Sequence, residues 1–329
     1  MTVIFGLEVT DVTIQENEIK SAILNNDPID DTLHVIAVIS NPCGFGRRYK
    51  LTNEFRLRMK EQHNVELYIV ELAYNDQPFL CTEPKNSKHL RIRTTETALW
   101  VKENLINIGV KKLFPKKWKA MAWIDADLEF ESATWALDTL KILNGCRDIV
   151  QLFSHCVDMD RDGNTMRVFT SLGYQFEKHK RYINKGNDYS HPGFAWSCTR
   201  KAWEKMGGVY DQSILGSGDF NMSLSFLGMG DKSVNEGVHP NYLQSIIDFQ
   251  KRVKGSRLGY VPNVILHNFH GSKINRKYQE RWKILVEHQY NPKTMITYNS
   301  DGLIVTTDKF PEQLKLDIIK YFQERLEDD

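Results

Sequence analysis

Two acidic residues, Asp125 and Asp127, follow an apolar run at residues 120–124. Side chains two positions apart in an extended chain point to the same side, so both carboxylates can converge on one point at a strand end. A hard divalent cation that also binds a diphosphate would offset the cost of burying these charges. The alternative is that they are solvated turn acids that cap a helix beginning near Ser132.

Two histidines, His267 and His270, follow a second apolar run and precede Gly271. Imidazole is a common ligand of transition metals such as manganese, and a glycine lets the backbone approach a ligand closely. A histidine after an apolar strand can equally have a structural role. The spacing therefore makes His267 and His270 candidate metal ligands and leaves the structural alternative open.

A third candidate, Asp219, follows Gly216 and Gly218 at the start of an apolar stretch. Its carboxylate could act as a general base, which requires reach and a suitable pKa. Aspartate is also a preferred N-cap residue of helices, and the spacing does not decide between these roles.

The acid-rich run at 158–163 resembles a calcium loop, but its twelfth position is Phe169 instead of glutamate, so we interpret it as a hairpin turn.

The elements that must position these side chains alternate between strands and helices. We predict strands at 34–40, 67–72, 120–124, 149–153 and 166–172, and hairpins at 3–9 and 295–306. We predict helices at 49–62, 95–108 with an end at Gly109, 199–206 with an end at Gly207, and 311–326. This alternation predicts an α/β fold with a mostly parallel central sheet flanked by helices. Ligands of such sheets bind at the carboxyl ends of the strands, where residues 41–48 and 125–127 fall.

The composition narrows the class of protein. The chain has 329 residues, 41% of them hydrophobic, and its 43 basic and 42 acidic side chains give a net charge of +1. No overall field therefore favours nucleic acid or an anionic membrane. The five scattered cysteines form no Cys-x-x-Cys pair and favour a reducing compartment. Without a signal-like or membrane-spanning run, we expect a soluble, cytoplasmic protein, and nothing indicates an obligate protein partner.

These three constellations, in this order, resemble those of GT-A glycosyltransferases over residues 34–282. The resemblance is strongest to family 2, with features of the family 7 galactosyltransferases. It implies a GT-A fold with a smaller mixed sheet on the acceptor side. It also implies that Asp125 and Asp127 hold a Mn²⁺ or Mg²⁺ ion bridging the donor diphosphate, with Asp127 as the direct ligand. The His267-x-x-His270 element is similar to the Met-x-x-His of family 7, which favours His270 as a ligand over His267.

Further segments carry the same resemblance. Residues 193–196, 206–211 and 216–219 are similar to the acceptor-side block, which implies that Asp219 is the base of an inverting enzyme. The chain has one acid there, where family 7 has a cluster. Residues 99–109 resemble the donor-side helix that faces the nucleotide, which makes Lys102 and Asn104 candidate donor contacts. The combination of this helix with Trp-Ile-Asp-Ala-Asp looks like glycosyltransferases of phages and large DNA viruses.

The loop after the first long predicted strand supplies the remaining candidates. Arg47 and Arg48 are placed to hold a diphosphate, and Asn41 to meet the base or ribose, although exposed loop polarity would explain each of them alone. We predict one domain over residues 1–329, with a donor half at about 34–130, an acceptor half at about 131–290, and a closing hairpin and helix at 291–329.

The predicted function is metal-dependent transfer of a sugar from a nucleoside-diphosphate sugar, with a UDP-sugar favoured. The acceptor hydroxyl belongs to a glycan or another molecule, a modified DNA base included. Two other classes remain open. A metal-dependent phosphohydrolase or nucleotidyltransferase would need further carboxylates, for which only Glu129 lies nearby in sequence. A non-catalytic sugar-binding scaffold could keep the same fold.

Overall fold

The computed structural model describes residues 2–4, 7–9, 17–186, 188–272 and 274–328. The strands are β1 (Thr2–Ile4), β2 (Leu7–Val9), β3 (Leu33–Ser40), β4 (Val65–Tyr74), β5 (His89–Thr94), β6 (Ala120–Ile124), β7 (Leu128–Phe130), β8 (Ile149–Gln151), β9 (His155–Met159), β10 (Thr165–Ser171), β11 (Ser190–His191), β12 (Ala195–Thr199), β13 (Leu258–Tyr260), β14 (Val264–His267), β15 (Ile296–Tyr298) and β16 (Ile304–Thr306). The helices are α1 (Glu18–Asn25), α2 (Gly46–Lys60), α3 (Lys102–Leu113), α4 (Trp135–Leu143), α5 (Leu172–His179), α6 (Arg200–Met206), α7 (Gly218–Phe226), α8 (Pro240–Val253), α9 (Tyr278–Glu287), α10 (Pro292–Met295) and α11 (Glu312–Gln323).

The larger sheet has the strand order β13-β8-β12-β6-β3-β4-β5. Strand β12 runs antiparallel to both of its neighbours, and every other adjacent pair is parallel. Helices cover both faces of this sheet, and alternate residues of β3 therefore enter two different apolar cores. Ile36 packs on the side that holds α3, and Val35 and Ala37 pack on the side that holds α2 and α4. The α/β class with a mostly parallel, helix-flanked sheet is therefore confirmed, as the GT-A resemblance implies.

A smaller mixed sheet, in the order β11-β10-β9-β14-β7, lies beside the larger one. Strand β14 lies between β9 and β7, parallel to β9 and antiparallel to β7, which pairs His267 with Asp158 on one side and with Leu128 on the other. Because β7 follows β6 after three residues, this register brings the end of β14 beside Asp127. The backbone N–H of Asn268 donates to the carbonyl of Asp127 at 2.8 Å.

Most of the predicted elements are present with small shifts at their ends. Strand β6 has the predicted bounds, and helix α6 begins after Thr199, whose hydroxyl accepts from the N–H of Ala202. Hairpins lie where they were predicted at both ends of the chain, although Phe5 and Gly6 lie outside the described residues. Each of the five cysteines is a free thiol. In the described ranges, no helix combines the length and apolarity needed to cross a bilayer.

The helix predicted at 95–108 is wrong at both ends, since α3 spans Lys102–Leu113. The residues before it form a loop, in which the N–H of Trp100 donates to the carbonyl of Ile214 at 2.8 Å. Gly109 lies inside the helix and does not end it. It permits close packing, because an added Cβ would lie 2.3 Å from Ile36 Cδ1 and 2.6 Å from Val70 Cγ2.

We expect Gly109→Ala to destabilise the fold by about 1–2 kcal/mol, measured by urea unfolding. Alanine favours a helix by about 1 kcal/mol over glycine, but overpacking a dense core costs about 1–3 kcal/mol, and here the second effect is larger because two side chains are in the way. Lys111→Ala, on the exposed side of the same helix, should change stability by less than about 0.5 kcal/mol. A Gly109→Ala variant as stable as wild type would show that α3 does not lie this close to the sheet.

Candidate active site and metal centre

Asp125 and Asp127 lie where the buried strand β6 ends, and both line a cleft of about 810 Å³. The N–H of Asp125 donates to the carbonyl of Phe194 at 2.9 Å, which joins the loop after β6 to the segment entering β12. The N-cap of the following helix, α4, is Thr134. The two aspartates are therefore cleft residues, and the helix-capping alternative does not describe them.

Three potential metal ligands converge at the floor of this cleft. One ligand atom each of Asp127, His267 and His270 lies within 4.8 Å of the others. Asp127 Oδ2 is 2.9 Å from Nε2 of His270 and 3.8 Å from Nε2 of His267, and the two Nε2 atoms are 3.2 Å apart. Asp127 Oδ1 is buried and has no hydrogen-bond partner within the described part of the chain. A buried carboxylate oxygen without a donor, beside two converging imidazoles, fits a divalent cation.

The protonation states also fit a metal. Burial lowers the pKa of His267 to about 4 and, together with the positive charge of Arg276, lowers the pKa of His270 to about 4. Burial would raise the pKa of Asp127, but His270, His267 and Arg276 together outweigh burial and hold this pKa below its usual range. Two neutral imidazoles and an ionised carboxylate form the set that a metal requires of its ligands.

A fourth residue, Asp158, orients this cluster. Its Oδ1 lies 2.8 Å from Nδ1 of His267, so the other ring nitrogen of His267 faces Asp127. Carboxylates that fix the tautomer of a ligating histidine are a general feature of metal sites. The hairpin predicted around 158–163 is present, but Asp158 belongs to strand β9 and its side chain is buried in the site. Sequence reasoning missed it, because the pairing of β9 with β14 has no local signal.

Asp125 has a different partner. Its carboxylate forms an ion pair with the ammonium of Lys102, and both side chains line the cleft. Burial raises the pKa of Asp125, and the charge of Lys102 counteracts that effect. The structure thus brings both aspartates of the motif into one cleft, with Asp127 in the three-residue cluster and Asp125 against the first residue of α3.

Asp219 lies in the first turn of α7 and also lines the cleft. Ser217 occupies the N-cap position, so the capping alternative does not describe Asp219. Its Oδ1 accepts from the N–H of Phe220 at 2.8 Å, and its Oδ2 lies against Gly193, where an added Cβ would be only 2.3 Å away. The position of this carboxylate therefore requires a glycine at 193.

The remaining sequence candidates divide into two groups. Arg48 and Asn41 line the cleft; Asn41 is also bonded to the backbone of Phe45 through both its amide N–H (2.8 Å) and its oxygen (3.0 Å). Arg47 and Asn104 are not among the described residues that line it. Arg47 donates to the carbonyl of Phe269, and Asn104 bonds the backbone of residues 302 and 304.

Other cationic side chains complete the cleft. Arg276, Arg281 and Arg325 line it, and Nη2 of Arg276 lies 2.8 Å from Nε2 of His270. They come from residues far along the chain from the aspartates and carry no recognisable motif. Sequence reasoning missed all three for that reason.

We expect the Asp127–His267–His270 cluster to bind Mn²⁺, with Asp158 contributing indirectly. Asp158→Asn should weaken Mn²⁺ affinity by about 10–100-fold, because outer carboxylates orient the ligating imidazole, and His270→Ala should weaken it at least as much. Electron paramagnetic resonance of free Mn²⁺ during titration measures this directly. Asp162→Asn, in the exposed part of the same hairpin, is the control and should leave affinity unchanged. Unchanged affinity in His270→Ala would exclude this cluster as the metal site.

No protein-family model and no curated protein matches this chain. Among solved structures, it is similar to the catalytic domain of Drosophila beta1,4-galactosyltransferase 7 in complex with xylobiose, at 11% identity and a TM-score of 0.38 over 84% of this chain and 95% of that one. It is also similar to a mannosyltransferase from Pyrobaculum calidifontis in complex with GDP-Man and Mn²⁺, at 16% identity and a TM-score of 0.43 over 82% and 68% of the two chains. These are similarities of chain course, and no property of the site follows from them.

Proposed function

We propose that this chain is a metal-dependent glycosyltransferase, which moves a sugar from a nucleoside-diphosphate sugar to an acceptor hydroxyl. The observation that carries the proposal is the Asp127–His267–His270 cluster, in one cleft with Asp219, together with the oxygen of Asp127 that has no hydrogen-bond partner among the described residues. A cation-binding cluster suits the leaving diphosphate, and a separate carboxylate suits deprotonation of the acceptor. The two requirements of sugar transfer are thus met by different residues of one cleft.

The donor side is formed by the ends of β3 and β6 and by the start of α3. Mn²⁺ or Mg²⁺ held by Asp127, His270 and His267 would offset the negative charge of the leaving nucleoside diphosphate. Arg48, Lys102 and Arg276 add positive charge to the same cleft, and guanidinium groups can bind phosphate oxygens in pairs. Asp125 pairs with the ammonium of Lys102 and so fixes the position of that charge in the cleft.

On the acceptor side, we assign Asp219 as the general base. As the acceptor oxygen forms its bond to the anomeric carbon, the hydroxyl proton passes to the Asp219 carboxylate. The bond from that carbon to the diphosphate oxygen breaks, and the nucleoside diphosphate leaves with the electron pair. Attack from the face opposite the leaving group inverts the anomeric centre. The N–H of Phe220 fixes one oxygen of Asp219 and so directs the carboxylate.

The finer assignments follow the sequence resemblance. We propose a UDP-sugar as donor and the hydroxyl of a glycan or another molecule as acceptor, with a modified DNA base included among the candidates. We also propose that residues 1–329 form one domain with a donor half and an acceptor half. Glu129, the further carboxylate that the sequence offered for phosphoryl transfer on two metals, does not line the cleft and is engaged by Asn268 at 2.8 Å and by Arg58 at 3.4 Å. Glu129 therefore does not supply a second metal position to the phosphohydrolase alternative.

Thermal unfolding with a panel of nucleotide-sugars and nucleoside diphosphates, with and without Mn²⁺, tests the donor site. A ligand that binds the folded state raises the melting temperature by mass action, so one donor should give a Mn²⁺-dependent increase that Asp127→Ala abolishes.

Asp219→Asn should keep that increase in melting temperature and lose at least about 100-fold in transfer rate, because only the base is removed. Asp162→Asn serves as the matched control. The proposal fails if the folded wild-type protein responds to no nucleotide-sugar.

Gly193→Ala should lower the turnover number by at least about tenfold while donor binding is retained. An added Cβ cannot share space with Asp219 Oδ2, and small displacements of a catalytic group are costly to the rate. Steady-state kinetics on the acceptor, with the donor-dependent melting shift as internal control, separates the two effects. Full turnover in Gly193→Ala would show that this position of Asp219 has no bearing on the reaction.

A further inference from the structure

The segment that follows α11, residues 325–328, lies in the donor part of the cleft. Glu327 is 2% exposed and accepts from Arg48 Nη2 at 2.7 Å and from Arg325 Nε at 2.5 Å. Its Oε2 is 3.9 Å from Nδ1 of His270, a residue of the proposed metal cluster. One carboxylate of the chain is thus already bound to the arginine proposed to hold the donor diphosphate.

The next residue, Asp328, occupies a second anion-binding position. Its Oδ1 accepts from the N–H of Arg47 at 2.8 Å and its Oδ2 from the N–H of Gly46 at 2.9 Å. These N–H groups begin the 15-residue helix α2, where they have no partner within the helix. The first turn of a helix carries partial positive charge and is a general binding place for phosphate groups. Two consecutive carboxylates therefore hold the guanidinium of Arg48, which lines the cleft, and two backbone donors beside it; Gly46, Arg47 and Asp328 are not among the described residues that line the cleft.

The segment at residues 325–328 packs closely against the chain beneath it, but the backbone of the segment is strained at Leu326. Gly271 lies under it, and an added Cβ there would be 2.9 Å from the Cα of Glu327. The close approach expected of Gly271 is thus made by the chain itself. Leu326 has a φ of 44°, in the left-handed region that residues with a side chain seldom adopt, and its side chain is 46% exposed. Release of the segment would relieve that strain and would remove little apolar burial at Leu326.

We propose that Glu327 and Asp328 compete within the molecule for the diphosphate of the donor, which must displace residues 325–328 to bind. Arg48 and the N–H groups of Gly46 and Arg47 cannot bind these carboxylates and a diphosphate at the same time. The inference rests on the proposed function and adds a means of regulation to it. Anions that bind weakly would not displace the segment, whereas an anion that replaces both carboxylates would. If the segment had only a structural role, its carboxylates would hold Arg48 in place for the ligand. Removal of these carboxylates would then weaken anion binding.

Binding of inorganic pyrophosphate with Mg²⁺, measured by isothermal titration calorimetry, distinguishes these roles. In Glu327→Gln/Asp328→Asn, pyrophosphate should bind about tenfold more tightly than in wild type, with a smaller gain in each single variant. The control is Asp308→Asn/Glu312→Gln, which changes the net charge equally at exposed sites. Its affinity should change by less than about twofold, because exposed charges are screened.

The unfolding midpoint of each variant shows whether it is folded. If loss of the buried carboxylate of Glu327 prevents folding, Asp328→Asn alone decides the question, since Asp328 is exposed. Equal or weaker pyrophosphate binding in the folded variants overturns the proposal.

The same titrations with the nucleotide-sugar panel separate this inference from the proposed function. Donor binding that is equal in wild type and the double variant overturns the competition and leaves the glycosyltransferase proposal intact. Tighter pyrophosphate binding without binding of any nucleotide-sugar supports the competition and contradicts the glycosyltransferase proposal.

Discussion

The position of Asp127, whose side chain is only 18% exposed at the end of a central strand, is the constraint on which the rest of the site depends. An isolated carboxylate in such a place is costly unless it is paired or coordinates a metal. Here one oxygen faces two imidazoles, and the other has no donor among the described residues. The smaller sheet satisfies this constraint, because its strand β14 ends at His267 and pairs with β9, the strand that carries Asp158.

The single reversed strand of the large sheet links this cluster to the proposed base. The segment entering β12 bonds the N–H of Asp125 through the carbonyl of Phe194, while Gly193 makes room for Asp219. The ring of Phe194 is stacked between His191 and His267, with ring centroids 3.9 Å and 4.6 Å away. A displacement of this segment would therefore reach the metal side and the base side together. The two halves of the proposed chemistry share one rigid support.

The sequence predicted the parts of this arrangement that have a local signal. The sequence contains one apolar run that ends in Asp-Ala-Asp and another that ends in His-x-x-His. Each pattern predicts both a strand and the polar residues at its end. Asp158 and Arg276 reach the site only through the pairing of distant strands and the packing of later loops, which no local pattern encodes. Asn104 shows the opposite limit: it lies on the predicted donor helix, but its side chain bonds the backbone at residues 302 and 304 because that face packs against the closing hairpin.

Positive and negative side chains balance one another inside the cleft, as they do over the whole chain. Arg48 and Lys102 each face a carboxylate of the chain, in Glu327 and Asp125. A cleft with uncompensated cations would bind abundant small anions, and its buried charges would destabilise the fold. With these internal carboxylates in place, the proposed competition means that an anion would bind by exchange, and its affinity would depend on how many of these contacts it replaces at once. A diphosphate that also reached the Asp127 cluster through a cation would replace more of these contacts than a single phosphate, and the proposed nucleotide-sugar donor would be selected on that basis.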